Sequence, residues 1–394
     1  MNKRTISFLS AILLALMLSA QEQTVTTWYD DEQTQVKEVF KVIMNDQNNP
    51  VKQGSYIIYH KNKQIWQEGA FDNDQLTGLW KDYYESGVLK QELQYENNLL
   101  NGITRYYYPS GALQQLLPYK NDLLNGEVVS YFENGNIQES AFYSENLPNG
   151  EIKAYYEDGK PRFVKTYKNG TENGPLLSYY DNGKINERSN KVKGLYEGLF
   201  TDYFKDYEDG SVNMVCFYKS GKLNGKLTGY YPGGNLKLEC NYDNDLINGP
   251  YTEWFDSIGI VKEIGQYTDN KKSGIWTSYY PNGFVYTTGK FKDSILDSIW
   301  NTYYPDGKLK QYGSYSDGKS NGEWLFYYET GELKNRGNYV DDFKEGIWLT
   351  YYTTGELMSE IPFRLGQRDG IAKAYNKEGV HVETINYKNG VVIE

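Results

Sequence analysis

Two histidines (His60, His381), two cysteines (Cys216, Cys240) and two Asp-Asn-Asp triplets (72–74 and 243–245) are the residues best suited to chemistry in this 394-residue chain. The histidines stand about 320 residues apart, and no Cys or His pair has the spacing of metal ligands. The triplets have the carboxylate density of a calcium loop but lack its glycine and its distal glutamate. Asp and Asn in such places commonly bond turn backbone instead. Glycine recurs along the whole chain, yet no helix follows it, so a phosphate loop is not expected. Carboxylates are scattered, and no pair is singled out. These residues point to no catalytic, cofactor or metal site, and a non-enzymatic protein is expected.

What must position any functional side chain is a repeat. Its leading glycines are Gly54, Gly78, Gly102, Gly126, Gly150, Gly174, Gly198, Gly225, Gly249, Gly274, Gly322, Gly346 and Gly370, with Ser298 standing in once. The spacing is 24 residues except for 27 after Gly198 and 25 after Gly249, which place insertions in repeats seven and nine. Five residues after each start is an aromatic, from Tyr59 and Tyr83 through Trp254 to Tyr375.

Within the second repeat, Leu79 to Glu85 reads as one strand and Val88 to Tyr95 as its return. Ser86-Gly87 lies between them, and other copies put Asn-Gly or Asp-Gly there, the preferred pair of a two-residue type I′ hairpin. A longer polar turn, Glu96 to Asn101, is expected to lead onward. Pairing about Ser86-Gly87 sets Tyr84 against Leu89, Asp82 against Gln91, Trp80 against Leu93 and Gly78 against Tyr95, all on one face. Gly289, Gly313 and Gly337 then face Trp276, Trp300 and Trp324, an indole over bare backbone. This face is the expected core. The other carries Lys81, Tyr83, Lys90, Glu92 and Gln94 and is expected to meet water or a partner.

The spacing G-x-W-x-x-Y-Y-x-x-G-x-L, as in Gly78, Trp80, Tyr83, Tyr84, Gly87 and Leu89, resembles the MORN repeat, specifically its bacterial variant, over residues 54 to 390. The resemblance implies stacked hairpins, no catalytic residues, and a family sometimes labelled antitoxin-like. The fold class expected is all-β: an elongated antiparallel single-sheet solenoid of about fourteen stacked β-hairpins. Two strands per repeat at ~4.8 Å give a sheet of ~130 Å that coils through its own twist.

Residues 1–20 have a basic start, an apolar run from Ile6 to Leu18 and Ser19-Ala20 at the cut, the form of a secretory signal peptide. Residues 21–53 read as a degenerate N-terminal cap repeat, with Trp28-Tyr29 as the paired aromatics, Phe40 in the Tyr95 site and a loop over 46–53. The MORN-variant array fills 54–394, and its last copy reads as the C-terminal cap. Without Lys3 and Arg4, 39 basic residues face 52 acidic ones, a formal charge of −13. That opposes nucleic acid and anionic lipid, and no other apolar stretch reaches the length of a membrane span. A secreted or periplasmic scaffold binding a protein is expected, or a glycan-binding module using the tyrosine ladder, or, as the resemblance implies, an antitoxin-like neutraliser of a protein toxin. Specificity for a partner needs a break in the repeat. The largest break is the enlarged turn of repeat seven, Asp206, Tyr207, Glu208 and Asp209, beside the basic residues Arg188, Lys191 and Lys193. Cys216 and Cys240 hold the Leu93 site in adjacent repeats, ~9.6 Å apart and beyond a bridge's reach, so two buried thiols are expected.

Overall fold

A computed structural model describes residues 22–207, 210–257 and 259–393. The expected leader lies outside them. The 36 strands among these residues pair antiparallel in one sheet, each long strand with the next in sequence. They gather into two compact units: one runs to Asn186 and includes Lys191–Gly194, and the other holds Glu187–Asn190 and continues from Leu195.

In the second repeat, strands Gln75–Tyr83 and Leu89–Glu96 pair Gly78 with Tyr95, Trp80 with Leu93 and Asp82 with Gln91, the register read from the sequence. Nearer the turn the register slips at a bulge, so Tyr83, and not Tyr84, faces Leu89.

The two kinds of turn are exchanged relative to expectation. The link from Tyr84 to Val88 is a three-residue loop: Gly87 N–H donates to Tyr84 O at 2.8 Å, and Tyr84 N–H to Val88 O at 2.9 Å. Only the glycine has positive φ, 84° at Gly87. The Asn or Asp before it is favoured for its side chain: Asn134 Oδ1 accepts from Asn136 N–H at 2.9 Å, and Asp306 Oδ1 from Lys308 N–H at 3.0 Å. The two-residue turn with positive φ at both positions lies between repeats instead, at Asn97 (51°) and Asn98 (67°). The polar stretch 96–101 is therefore a tight turn followed by strand.

The indole face is the core. Trp276 is 2% exposed, whereas Ile275 beside it is 71% exposed. The glycines opposite Trp276, Trp300 and Trp324 are those expected, but the indoles lie elsewhere. Each leans onto the glycine eleven residues earlier, in the preceding hairpin. A Cβ on Gly265 or Gly313 would stand 2.2 Å from the ring of Trp276 or Trp324, and one on Gly337 2.3 Å from that of Trp348. The reason is local: each of these glycines marks the register break in the ladder joining two repeats, where the strands part and make room. The same two positions hold matched volumes elsewhere: Ala141 with Ile152, Ser189 with Phe200, Cys240 with Tyr251, Leu93 with Thr104, and Ile361 with Ala372. A large residue on one strand goes with a small one on the other, as close packing requires.

Cys216 and Cys240 face Phe200 and Leu227, buried and unbridged. Burial pushes both thiols up to about 11. At the N-terminal end, Gln23–Trp28 and Val36–Met44 form the worn hairpin, and the Tyr29 hydroxyl donates to Tyr59 O at 2.6 Å. Phe40 pairs with Val25, which places it in the Leu93 site; Val42 takes the Tyr95 site. Strand Pro50–Tyr59 occupies much of the stretch read as a loop. In the last copy, His381 Nε2 lies 2.8 Å from Thr384 Oγ1.

Candidate partner-binding site

The enlarged turn of repeat seven is closed by Phe204 N–H donating to Ser211 O at 3.0 Å. The Tyr207 ring packs edge-on against Phe204, centroids 5.7 Å apart, and stays largely exposed, as does Asp206. Ser211 Oγ donates to Pro232 O at 3.1 Å. Glu208 and Asp209 lie outside the described residues.

The three expected basic residues have separate roles. Arg188, in the second unit, stacks over Tyr203 at 5.9 Å. Lys191, in the first unit, stands in a core aromatic site and is ion-paired with Glu172 at 2.6 Å. Glu172 also accepts from Lys165 and from the Tyr167 hydroxyl, both at 3.0 Å. Burial alone would raise the Glu172 carboxyl, but hydrogen bonds from Lys191, Lys165 and Tyr167 outweigh it and bring the pKa down to about 2. Lys193 is a turn residue at φ 52°, its N–H donating to Asn173 Oδ1 at 3.1 Å. Alternation along strand Ile185–Val192 sends positions 188 and 191 to opposite faces.

The tyrosine row of the outer face is half-buried in every copy. Tyr83 donates its hydroxyl to Glu68 at 2.6 Å and Tyr107 to Glu92 at 3.1 Å. Burial, and then the Glu68 carboxylate, push the Tyr83 hydroxyl up to about 12. These groups serve internal bonds.

Ten segments match the family model described as MORN repeat variant: residues 76–97, 100–121, 124–145, 148–169, 172–190, 223–244, 296–317, 320–341, 344–364 and 368–389. They cover more than half of the chain. The chain belongs to the MORN repeat variant family. No curated protein matches it. Among solved structures, the crystal structure of TcdB2-TccC3-Cdc42 is similar at 12% identity and a TM-score of 0.16, covering 94% of this chain and 26% of its own. That of TcdB2-TccC3 without the hypervariable C-terminal region has 12% identity and a TM-score of 0.13, with 93% and 27% covered. The chain thus spans about a quarter of the length of either.

The MORN hairpins continue where the family model is silent, as in Lys271–Tyr279 with Val285–Lys292. Two clamps that the sequence reading missed tie successive copies. The second tyrosine of the pair donates its hydroxyl to the backbone of the next repeat: Tyr84 to Tyr107 O, Tyr280 to Tyr303 O and Tyr328 to Tyr351 O, all at 2.9 Å. His60 makes the same contact, its Nε2 3.1 Å from Tyr83 O, which accounts for a histidine in an aromatic site. At the opposite edge, the second turn residue reaches back. Asp74 Oδ1 accepts from Lys52 N–H and Asp245 Oδ1 from Leu223 N–H, each at 2.7 Å. The acidic triplets are thus clamps between repeats. Also missed was an aliphatic row on the outer face, one residue after the leading glycine. It is Leu79 and Ile103 in the first unit, and Leu199, Ile275, Ile299, Ile347 and Ile371 in the second, all exposed, with Glu323 interrupting it between Ile299 and Ile347. The signal was a recurrent Leu or Ile at the 24-residue period.

Proposed function

We propose that this MORN-repeat chain is a non-enzymatic scaffold, secreted or held in the cell envelope, that binds a protein through the outer face of its sheet. The observation that carries the reading is the exposed aliphatic row of the second unit, Ile275, Ile299, Ile347 and Ile371. Apolar side chains repeated along one face favour a protein partner over water. Secretion rests on the leader-like residues 1–20. The half-buried tyrosines with committed hydroxyls speak for protein over glycan, and a protein toxin is one partner the antitoxin-like label would supply. Support for a role outside catalysis comes from His60, engaged with backbone, and from two buried thiols with raised pKa.

The test is capture from an envelope extract by three proteins: the wild type, Ile275→Lys/Ile299→Lys/Ile347→Lys, and a chain lacking residues 206–208. The triple variant should melt as the wild type does and lose the captured protein. Retained capture sinks the reading. Loss only on deletion of 206–208 moves the contact to the loop of repeat seven.

A further inference from the structure

The indole face of the last hairpin contains a pocket of about 160 Å³. Its middle is Ala372, which takes the place of a tryptophan, with Ile385 opposite it and Ile361 beside it. Ile361 replaces the usual glycine and refills only part of the missing indole's volume. An apolar cavity of about 150 Å³ admits benzene, so the remaining space suits a single ring. Tyr387 and Arg368 close one end, and Glu383 lies at the other, two residues beyond Ile385 on the same strand.

The closed end is cationic. The Arg368 guanidinium lies 5.2 Å from the Tyr387 ring centroid, and its Nη1 donates to the Tyr387 hydroxyl at 3.0 Å. The equivalent residue one repeat earlier, Lys344, stands over Trp348 at 4.2 Å and Phe363 at 5.1 Å. Among the described residues neither cation has a carboxylate within ion-pair distance. Burial, and then the charge of Arg368, lower the pKa of the Lys344 amine. Two neighbouring cations on an aromatic face without a counter-ion favour an anion there, and the guanidinium fork suits a carboxylate.

We propose that this pocket binds a single-ring aromatic carboxylate. The ring lies on Ala372 between Ile361 and Ile385, and the carboxylate meets Arg368. A free acid and the phenylalanine end of a peptide share this chemistry. The site is on the face opposite the aliphatic row, so it stands or falls apart from the scaffold reading.

The probe is 3-phenylpropanoate, titrated into the full chain with isoleucine methyl groups labelled for NMR. Shifts should centre on Ile361 and Ile385, with a Kd of about 1 mM, the scale a ligand of this size reaches. The neutral 3-phenylpropanamide should bind about tenfold more weakly, since it lacks the charged hydrogen bond. Arg368→Gln should bind acid and amide equally weakly. Ile361→Gly with Ala372→Trp, which restores the indole-on-glycine pair, should bind neither. Binding of a peptide ending in phenylalanine more tightly than the acid supports the pocket as a reader of chain ends; weaker binding supports it as a site for the free acid. Equal affinity for acid and amide in the wild type, no shift at Ile361 and Ile385, or binding retained by the restored pair would each overturn the proposal.

Discussion

Between Gly265 and Trp348 four indoles lie on four glycines, whereas between Lys165 and Lys191 the equivalent core sites include two lysines and a glutamate. Both stretches keep the same hairpins and the same pairing. They differ in what fills the inner face. The indole stretch excludes water by shape, with apolar area as its driving force. The charged stretch satisfies Glu172 with three donors, which offset the desolvation cost of burying its carboxylate. One stretch should therefore be sensitive to volume and the other to charge.

The largest expected effect is on volume. Trp324→Ala should cost about 3–5 kcal/mol, and Gly313→Ile at least as much, because its Cβ would enter the indole. The double variant copies Ile361 with Ala372, which refills only part of the indole's volume, and should recover part of the loss; hydrogen exchange of the neighbouring strands reads it. Additive losses would show that these positions do not share one space. In the charged stretch the same volume changes should matter less and protonation more.

Glu172→Gln should cost about 1–3 kcal/mol by leaving Lys165 and Lys191 without their shared negative charge. The Glu172 pKa falls from 4.5 to about 2 on folding. The advantage of the wild type over Glu172→Gln is thus present above pH 4.5 and lost as the pH drops towards 2. Melting curves of both proteins across that range check it, and a gap that does not close with acid contradicts the ion-pair account.

The smallest effect should be common to both stretches. Tyr156 donates into the charged stretch, to Tyr179 O, and Tyr328, within the indole stretch, donates to Tyr351 O, both at 2.9 Å. Tyr156→Phe and Tyr328→Phe should each cost about 0.5–1.5 kcal/mol. A clear inequality in urea midpoints would mean that the inner face controls the clamp as well.

Period, faces and central register were legible in the sequence because they follow from alternation and from repeated Gly, Trp and Tyr, which many copies restate. The site of the tight turn was not. Asn-Gly suits both a two-residue turn and a three-residue loop, and what separates them, the backbone bonds that close the loop, positive φ at Gly135 alone and the bond of Asn136 N–H to Asn134 Oδ1, is not visible in the residue pair. The glycine under each indole was assigned to the wrong neighbour because the bulges at Gly265 and Gly313 leave no mark in composition. Arg188, Lys191 and Lys193 are close in sequence, yet a strand turns alternate residues to opposite faces and the partner of Lys191, Glu172, is nineteen residues away. The aliphatic row was less legible than the tyrosines because only half of the copies carry it, the others having Ser, Glu, Pro or Lys at that position.

The tyrosine clamp also bears on how the gene can change length. Tyr304 bonds Tyr327 O, and Tyr328 bonds Tyr351 O in the same way. Excising residues 305–328 would bring Tyr304 to the acceptor that Tyr328 now uses. It would set Trp300 against Gly337, a pairing identical in kind to the one between Trp324 and Gly337. Where adjacent copies carry the same indole and glycine, unequal recombination can add or remove a repeat without a packing mismatch. Around Lys165, Glu172 and Lys191 the same event would strand a charge. Copy number should therefore vary among relatives within 265–348 and stay constant around residues 165–191, a pattern that an alignment of their repeat counts would reveal.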